Sequence, residues 1–187
     1  KRKDYVEKLN PIFQEFYEII SGGKEIMNVI YESHLLEGLD SAQPDRFFKE
    51  IIASSIDKDR ALTYTSTGTH KDDLLFEMNG NSIKKIGSQG QQKSFLIAMK
   101  LAQFDFMAKL KKIKPILLLD DIYEKLDDNR ISRLMELVSK HNFGQIFITD
   151  THIDRVKEIF NRIGEEVMCF EVEGMGVSTL EVKGQRS

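Results

Sequence analysis

Four apolar residues that run straight into two carboxylates, Ile116-Leu117-Leu118-Leu119-Asp120-Asp121, constrain this chain more than any other stretch. An apolar run without polar alternation is the pattern of a strand buried in a parallel sheet, and such strands carry their C-terminal residues to the edge where open α/β sheets hold ligands. Taken alone, the run also fits a core strand that feeds a helix whose first turn welcomes negative charge. Its neighbours narrow the reading. Upstream lies Gly87-Ser88-Gln89-Gly90-Gln91-Gln92-Lys93, a Gly- and Gln-rich loop that opens a helix; downstream lie Leu126-Asp127, a further helix and a second apolar strand, Gln145-Ile146-Phe147-Ile148-Thr149. The order loop, helix, acid strand, helix, strand predicts a βαβ arrangement and a parallel sheet.

Elsewhere the pattern is mixed. Asn10-Pro11 reads as a helix start, with Asn as N-cap and Pro at the first helical position, and Ile12, Phe13, Phe16, Tyr17 and Ile20 mark one apolar face before Gly22-Gly23. Residues 27–31 suggest a short strand, and after Pro44 a second amphipathic helix presents Phe47, Phe48, Ile51, Ile52 and Ile56 to a core. Residues 74–78 form a strand that leads into Asn79-Gly80, a two-residue hairpin signal, with residues 82–86 as its returning partner. The next helix, residues 91–110, places Phe95, Met99, Ala102, Phe106 and Leu110 on one stripe and ends among Lys109, Lys111, Lys112 and Lys114. Those lysines suit either DNA phosphates or the negative end of the helix dipole. Helices at 128–140 and 153–160 follow their strands, and residues 167–172 and 177–182, joined through Gly174-Met175-Gly176, read as a terminal hairpin.

Composition excludes several classes. The chain has 187 residues, enough for one good core or two small ones, and its 41% hydrophobic and 30% charged content is that of a globular protein. No apolar stretch reaches membrane-spanning length, and Lys1-Arg2-Lys3-Asp4-Tyr5 has no signal-peptide core. Cys169 stands alone, which rules out an internal disulfide and reads as a small buried hydrophobe. A net charge of −3 argues against a uniformly basic nucleic-acid binder and leaves room for a local basic strip.

The ordered motifs resemble the second half of an ATP-binding-cassette ATPase of the kind that works on chromosomes. Residues 88–93 resemble its signature loop, 116–121 its Walker B strand, Leu126-Asp127 its D-loop and 149–152 its switch region. Gly68-Thr69-His70-Lys71-Asp72-Asp73-Leu74, followed by a strand and Asn79-Gly80, resembles the Gly-x-His-Arg-Asp-Asp-Leu segment of the RecF family. Lys71 replaces the usual Arg there, which keeps the charge and loses the bidentate fork. The phosphate loop Gly-x-x-x-x-Gly-Lys-Ser/Thr is absent; the nearest piece, Gly22-Gly23-Lys24-Glu25, lacks the first glycine and puts a carboxylate where the hydroxyl belongs. RecF-like proteins carry that loop in an N-terminal half, so the expectation is a C-terminal half: an α/β cassette-ATPase lobe built on a parallel sheet, residues 63–187, preceded by a helical arm remnant and packing helices, residues 1–62.

The resemblance implies roles for particular residues. Asp120 would hold Mg²⁺ and Asp121 would activate the attacking water, as a shorter stand-in for the Glu of most cassette ATPases. Ser88, Gln89, Gly90, Gln91 and Lys93 would receive the γ-phosphate of ATP bound to an opposite subunit, because a hydroxyl and free N–H groups at a helix N-terminus form an anion site. Asp127 would act in the D-loop. His152 is the expected switch residue, with Asp150 a rival and a helix cap the alternative. The family resemblance further implies a cytoplasmic, ATP-dependent homodimer on gapped or single-strand/double-strand junction DNA, assisting recombinase loading with mediators such as RecR. Two other readings fit the motifs: another chromosome-maintenance ATPase of the same superfamily, and a binding module whose acids are structural.

Overall fold

The computed structural model describes residues 1–36, 43–122, 126–140, 143–163, 167–174 and 176–182; Met175, expected in the last turn, lies outside them. The elements are α1 (Arg2–Ser21), β1 (Met27–Glu32), α2 (Pro44–Ser54), α3 (Ile56–Leu62), β2 (Asp73–Met78), β3 (Asn81–Ser82), α4 (Ile83–Ile86), α5 (Gln89–Lys111), β4 (Leu117–Leu119), α6 (Asp128–Lys140), β5 (Ile146–Ile148), α7 (Ile153–Ile163), β6 (Val167–Glu173) and β7 (Gly176–Val182). Strands β1, β2 and β3 form an antiparallel sheet, β4 and β5 a parallel pair with Leu119 opposite Ile148, and β6 and β7 an antiparallel hairpin.

The core is organised by α1, which packs along α5 and α6. Val6, Leu9, Phe13, Phe16, Tyr17 and Ile20 of α1 are buried at helical spacing, and Phe13 meets Phe95 of α5 edge-on at 5.1 Å. This corrects the expected start at Asn10-Pro11, since the helix runs straight through the proline. An interior proline costs on the order of 3 kcal/mol. Burying Val6 and Leu9 upstream returns about 1.5–3 kcal/mol each, which outweighs it. Asn10 does not cap; its Oδ1 accepts the N–H of Val29 at 3.0 Å, while Gln14 donates to the carbonyl of Met27 at 3.0 Å. The helix stops at Gly22, which is left-handed at φ 77° and donates its N–H to the Glu18 carbonyl at 2.8 Å.

Other expectations change in detail. Asn79 and Gly80 both have positive φ and make the tight turn, yet the returning strand lasts only two residues before Ile83 tucks into the core and starts α4. No residue of α2 or α3 is buried, so these helices do not pack a core as their aromatics suggested; Phe47 and Phe48 are half-buried against each other. Of residues 1–62, therefore, α1 and β1 belong to the core and only α2 and α3 stand off it. Helix α5 buries Ile97, Ala98, Leu101 and Phe104 beside Phe95 and Ala102, because it is covered on more than one side; Leu110, expected on the stripe, is exposed. Cys169 is half-buried.

Strand β4 alternates. Leu117 and Leu119 are buried, while Ile116 and Leu118 are 57% and 65% exposed and Phe147 of β5 is 47% exposed. The two-faced burial expected of this strand thus holds on one face, because no described element covers the other. Among the described residues no helix is long and apolar enough to cross a membrane. Phe13→Ala should cost about 3–5 kcal/mol, since its fully enclosed ring leaves a cavity between α1 and α5. Urea unfolding followed by circular dichroism measures it, with an unchanged slope expected.

Candidate functional site

Helix α5 begins with a complete capping box. Ser88 Oγ accepts the N–H of Gln91 at 3.3 Å, and the Gln91 side chain returns to accept the N–H of Ser88 at 2.7 Å. This geometry uses the lone pair of the Ser88 hydroxyl and leaves its proton free to donate. The N–H groups of Gln89 and Gly90, in the first turn, have no acceptor among the described residues, and they lie with the Ser88 hydroxyl at the positive end of a 23-residue helix. Gly87 is required just before it: a Cβ there would stand 2.6 Å from the Ile83 carbonyl. Ser88 and Gln89 are exposed, and Lys93, half-buried one turn in, makes no ion pair among the described residues.

Behind this helix end lies a network that no sequence motif announces. Gln91 donates through Nε2 to Glu25 Oε1 at 2.9 Å, and Arg130 donates to the same oxygen at 2.9 Å. Arg130 also donates to Ser94 Oγ at 3.0 Å, contacts Asp127 Oδ2 at 3.3 Å and gives its backbone N–H to Asp127 Oδ1 at 2.9 Å. Tyr17 donates its hydroxyl to the other Glu25 oxygen. The Arg130 and Glu25 side chains are only 12% and 11% exposed. Burial opposes the Glu25 charge, but hydrogen bonds from Tyr17, Gln91 and Arg130, with the Arg130 charge, outweigh it and hold the carboxyl below its ordinary 4.5. Burial, reinforced by Glu25, pushes the Tyr17 hydroxyl up, and despite burial the pairing raises Arg130.

The second cluster sits at the C-terminal ends of β4 and β5, where a parallel sheet places ligands. Asp120 and Asp121 are exposed, and Asp121 is held at φ 47°, a left-handed conformation rarely adopted outside turns and functional sites. Thr149 donates its hydroxyl to Asp120 Oδ1 and its N–H to the Leu119 carbonyl, so the two strand ends are stitched together. Asp150 is turned inward, its side chain 7% exposed, and accepts the N–H of His152 at 2.6 Å as α7 begins; the His152 ring is 76% exposed. Asp150 thus fixes the backbone just before α7, while the imidazole Nδ1 meets Thr151 Oγ1 at 2.9 Å and lies 3.6 Å from Asp150 Oδ1. No three His, Cys, Asp or Glu side chains cluster as a closed metal cage among the described residues. One or two carboxylates at an open edge fit Mg²⁺, which keeps waters and takes its remaining ligands from phosphates.

The segment at 68–74 is a clasp. Lys71 lies 5.1 Å over the Tyr64 ring, and His70 Nε2 meets the Thr65 carbonyl at 3.0 Å. Asp72 accepts from Ser33 at 2.5 Å, from Tyr31 and from Arg2 at 3.3 Å, tying β1 to the first turn of α1. Asp73 accepts the N–H of Leu74 at 2.8 Å.

A signature-type helix cross-braced to the turn that follows an acid strand belongs to the C-terminal lobe of an ATP-binding-cassette ATPase head. Solved structures agree: the head of an SMC protein bound to the C-winged helix domain of ScpA superposes at a TM-score of 0.56 over 95% of this chain and 43% of that one, at 15% identity, which bears on the fold alone. No family model matches the chain. The chain belongs to the RecF family and matches its C-terminal half. The relative from Flavobacterium johnsoniae, named DNA replication and repair protein RecF, is 50% identical over 172 residues, 92% of this chain and 46% of that protein. The one from Parabacteroides distasonis, of the same name, is 44% identical over 181 residues, 97% of this chain and 47% of that protein. A structure of the recombination mediator protein RecF with ATPrS gives a TM-score of 0.71 at 28% identity, covering 96% of this chain and 45% of that one. The chain thus spans about half the length of the curated relatives it matches, 46% and 47% in these two.

Glu25 and Arg130 escaped the sequence reading because neither belongs to a spaced motif; they meet only when α1, its glycine stop and α6 have packed. Two acid-dependent effects follow. The Glu25 carboxyl is depressed in the folded state, so its contribution is present above about pH 4.5 and is lost as pH falls through the folded value. Melting temperature should therefore drop between neutral and acid pH, and less steeply in Glu25→Gln. Arg130→Ala, which strands the Glu25 charge, should cost about 3 kcal/mol at pH 7; thermal melts over a pH series read both.

Proposed function

We propose that this chain is the part of a DNA-repair ATPase that closes over nucleotide bound by another subunit. The observation that carries the reading is the end of α5: the Ser88 hydroxyl and the Gln89 and Gly90 N–H groups sit together in the first turn, and the two N–H groups have no acceptor among the described residues. Such a site suits a phosphate oxygen carrying charge. ATP and Mg²⁺, where bound, supply the scissile phosphoanhydride and the neutralising charge. Asp120, oriented by Thr149, would hold the ion, and Asp121 would orient or deprotonate the attacking water. Asp127 would face the partner across the interface, and His152, its Nδ1 against Thr151 and its ring exposed, would present Nε2 to a phosphate. The phosphate-loop half would cover the bare face of β4 and β5, where Ile116, Leu118 and Phe147 await a partner layer.

In the full-length protein this implies an ATP-dependent homodimer in the cytoplasm, acting on gapped or junction DNA with mediators such as RecR and helping to load a recombinase. Helices α2 and α3, which leave the core, fit the arm of such a protein. The chain by itself, without a phosphate loop, should show no micromolar ATP binding by calorimetry, because the α- and β-phosphates have no holder. In the full-length protein, Ser88→Arg should bind ATP and fail to dimerise, whereas Asp121→Asn should accumulate ATP-bound dimers. Light scattering separates the two, and equal behaviour would sink this division of roles.

For DNA the lysines at the C-terminal end of α5 are the densest local candidate, although Lys109 already pairs with Asp105 at 2.7 Å. Changing Lys109, Lys111, Lys112 and Lys114 to Glu in the full-length protein should weaken duplex binding equally across sequences and flatten its salt dependence. Fluorescence anisotropy at several salt concentrations checks it; an unchanged slope returns these lysines to the role of cations at a helix end.

A further inference from the structure

We infer that the Glu25–Arg130 ion pair is a positioning strut that fixes the Ser88 loop and the Asp127 turn as one rigid unit, so that both meet the opposite subunit's nucleotide together. The inference rests on the proposed role of Ser88 across the dimer interface. Three segments far apart in sequence converge on this pair. Glu25 comes from the turn after α1, Gln91 from the first turn of α5, and Arg130 from the first turn of α6.

The path from one functional residue to the other is continuous. The Ser88 N–H is held by the Gln91 side-chain oxygen, and the amide nitrogen of that same side chain is held by Glu25 Oε1 at 2.9 Å. Orientation of the Gln91 amide is thereby settled at both ends, since a flipped amide would set oxygen against the carboxylate. Glu25 Oε1 also takes Arg130 at 2.9 Å, and Arg130 grips Asp127 through Nε at 3.3 Å while its other arm reaches Ser94 at 3.0 Å. Ser94 in turn donates to the Gly90 carbonyl at 2.8 Å, so Arg130 braces the loop helix a second time, one turn deeper. A planar guanidinium serves three acceptors in fixed directions; an ammonium would not.

The pair is nearly sealed, and hydrophobic side chains of similar volume would hold a core there at no loss of stability. Its distinctive property is direction: it sets where Gln91 and Asp127 point. Cross-subunit assembly depends on such placement, because a phosphate site displaced by about an ångström loses much of its hydrogen bonding. Tyr17 acts on Glu25 and Arg130 and, among the described residues, makes no hydrogen bond to Gln91 or Asp127, which makes it the control.

The test uses full-length protein carrying Glu25→Gln, Arg130→Lys, Tyr17→Phe or Ser88→Arg, with ATP binding by calorimetry, ATP-driven dimerisation by light scattering and melting temperature measured for each. Glu25→Gln and Arg130→Lys should keep ATP affinity within about twofold and weaken dimerisation by about tenfold, the equivalent of one charge-assisted hydrogen bond. Tyr17→Phe should lower the melting temperature and leave dimerisation unchanged. Arg130→Lys keeps the charge and decides the matter should Glu25→Gln not fold. If dimerisation falls in step with melting temperature across all three, Tyr17→Phe included, the pair is structural and the inference is overturned. If Ser88→Arg dimerises normally, the cross-subunit role itself fails and the inference goes with it; if only Ser88→Arg blocks dimerisation, the role stands and the strut does not.

Discussion

Everything in this chain is hung on the packing of α1 against α5. The apolar stripe from Val6 to Ile20 is long enough to carry a helix through Pro11, and the aromatic contact between Phe13 and Phe95 sets the two axes together. Once they are set, the stop at Gly22 delivers Glu25 behind the first turn of α5, and Met27 enters β1 against α1. A hydrophobic contact with no directional content thus places the most directional group in the molecule. This is a common division of labour in proteins: apolar burial supplies the free energy, and a few polar contacts choose among the arrangements that burial permits.

The two clusters of polar side chains answer to different physics. At the strand ends, Asp120 and Asp121 stand in water, where their charges are cheap and available to a cation. Behind α5, Glu25 and Arg130 are withdrawn from water, where a charge is tolerable only with its partners in place. An exposed carboxylate can wait for a ligand; an enclosed one must be satisfied already. The arrangement is therefore asymmetric in its tolerance of change, with each exposed acid replaceable at little cost to folding and neither member of the enclosed pair removable alone.

Much of the fold was legible because strong local signals agreed with the tertiary structure. The acid strand, the helix at 128–140, the Asn79-Gly80 turn and the final hairpin stand where pattern placed them. Legibility failed where a local rule was outbid. Asn10-Pro11 has the chemistry of a helix start, but Val6 and Leu9 had a core to enter. Residues 82–86 had the composition of a strand, but burying Ile83 required a turn of helix. Phe47 and Phe48 looked like core residues, and amphipathic spacing alone cannot say whether a partner surface exists. At the site, Ser88 and Asp127 were recognisable because motifs carry them, whereas Glu25 sits in a remnant that was notable only for failing to be a phosphate loop.

The side chains of Asn10 and Gln14 have a consequence that reaches beyond the core. The outer edge of β1 has an N–H at Val29 and a carbonyl at Met27, groups that an extended segment from another molecule would otherwise pair with. Both are already taken by α1, at 3.0 Å each. The helix therefore acts as a stopper on the antiparallel sheet, occupying this margin at Met27 and Val29 without a proline or a bulge on the strand itself. Two helical side chains thereby occupy the groups at that margin which a stray strand would need in order to pair at Met27 and Val29.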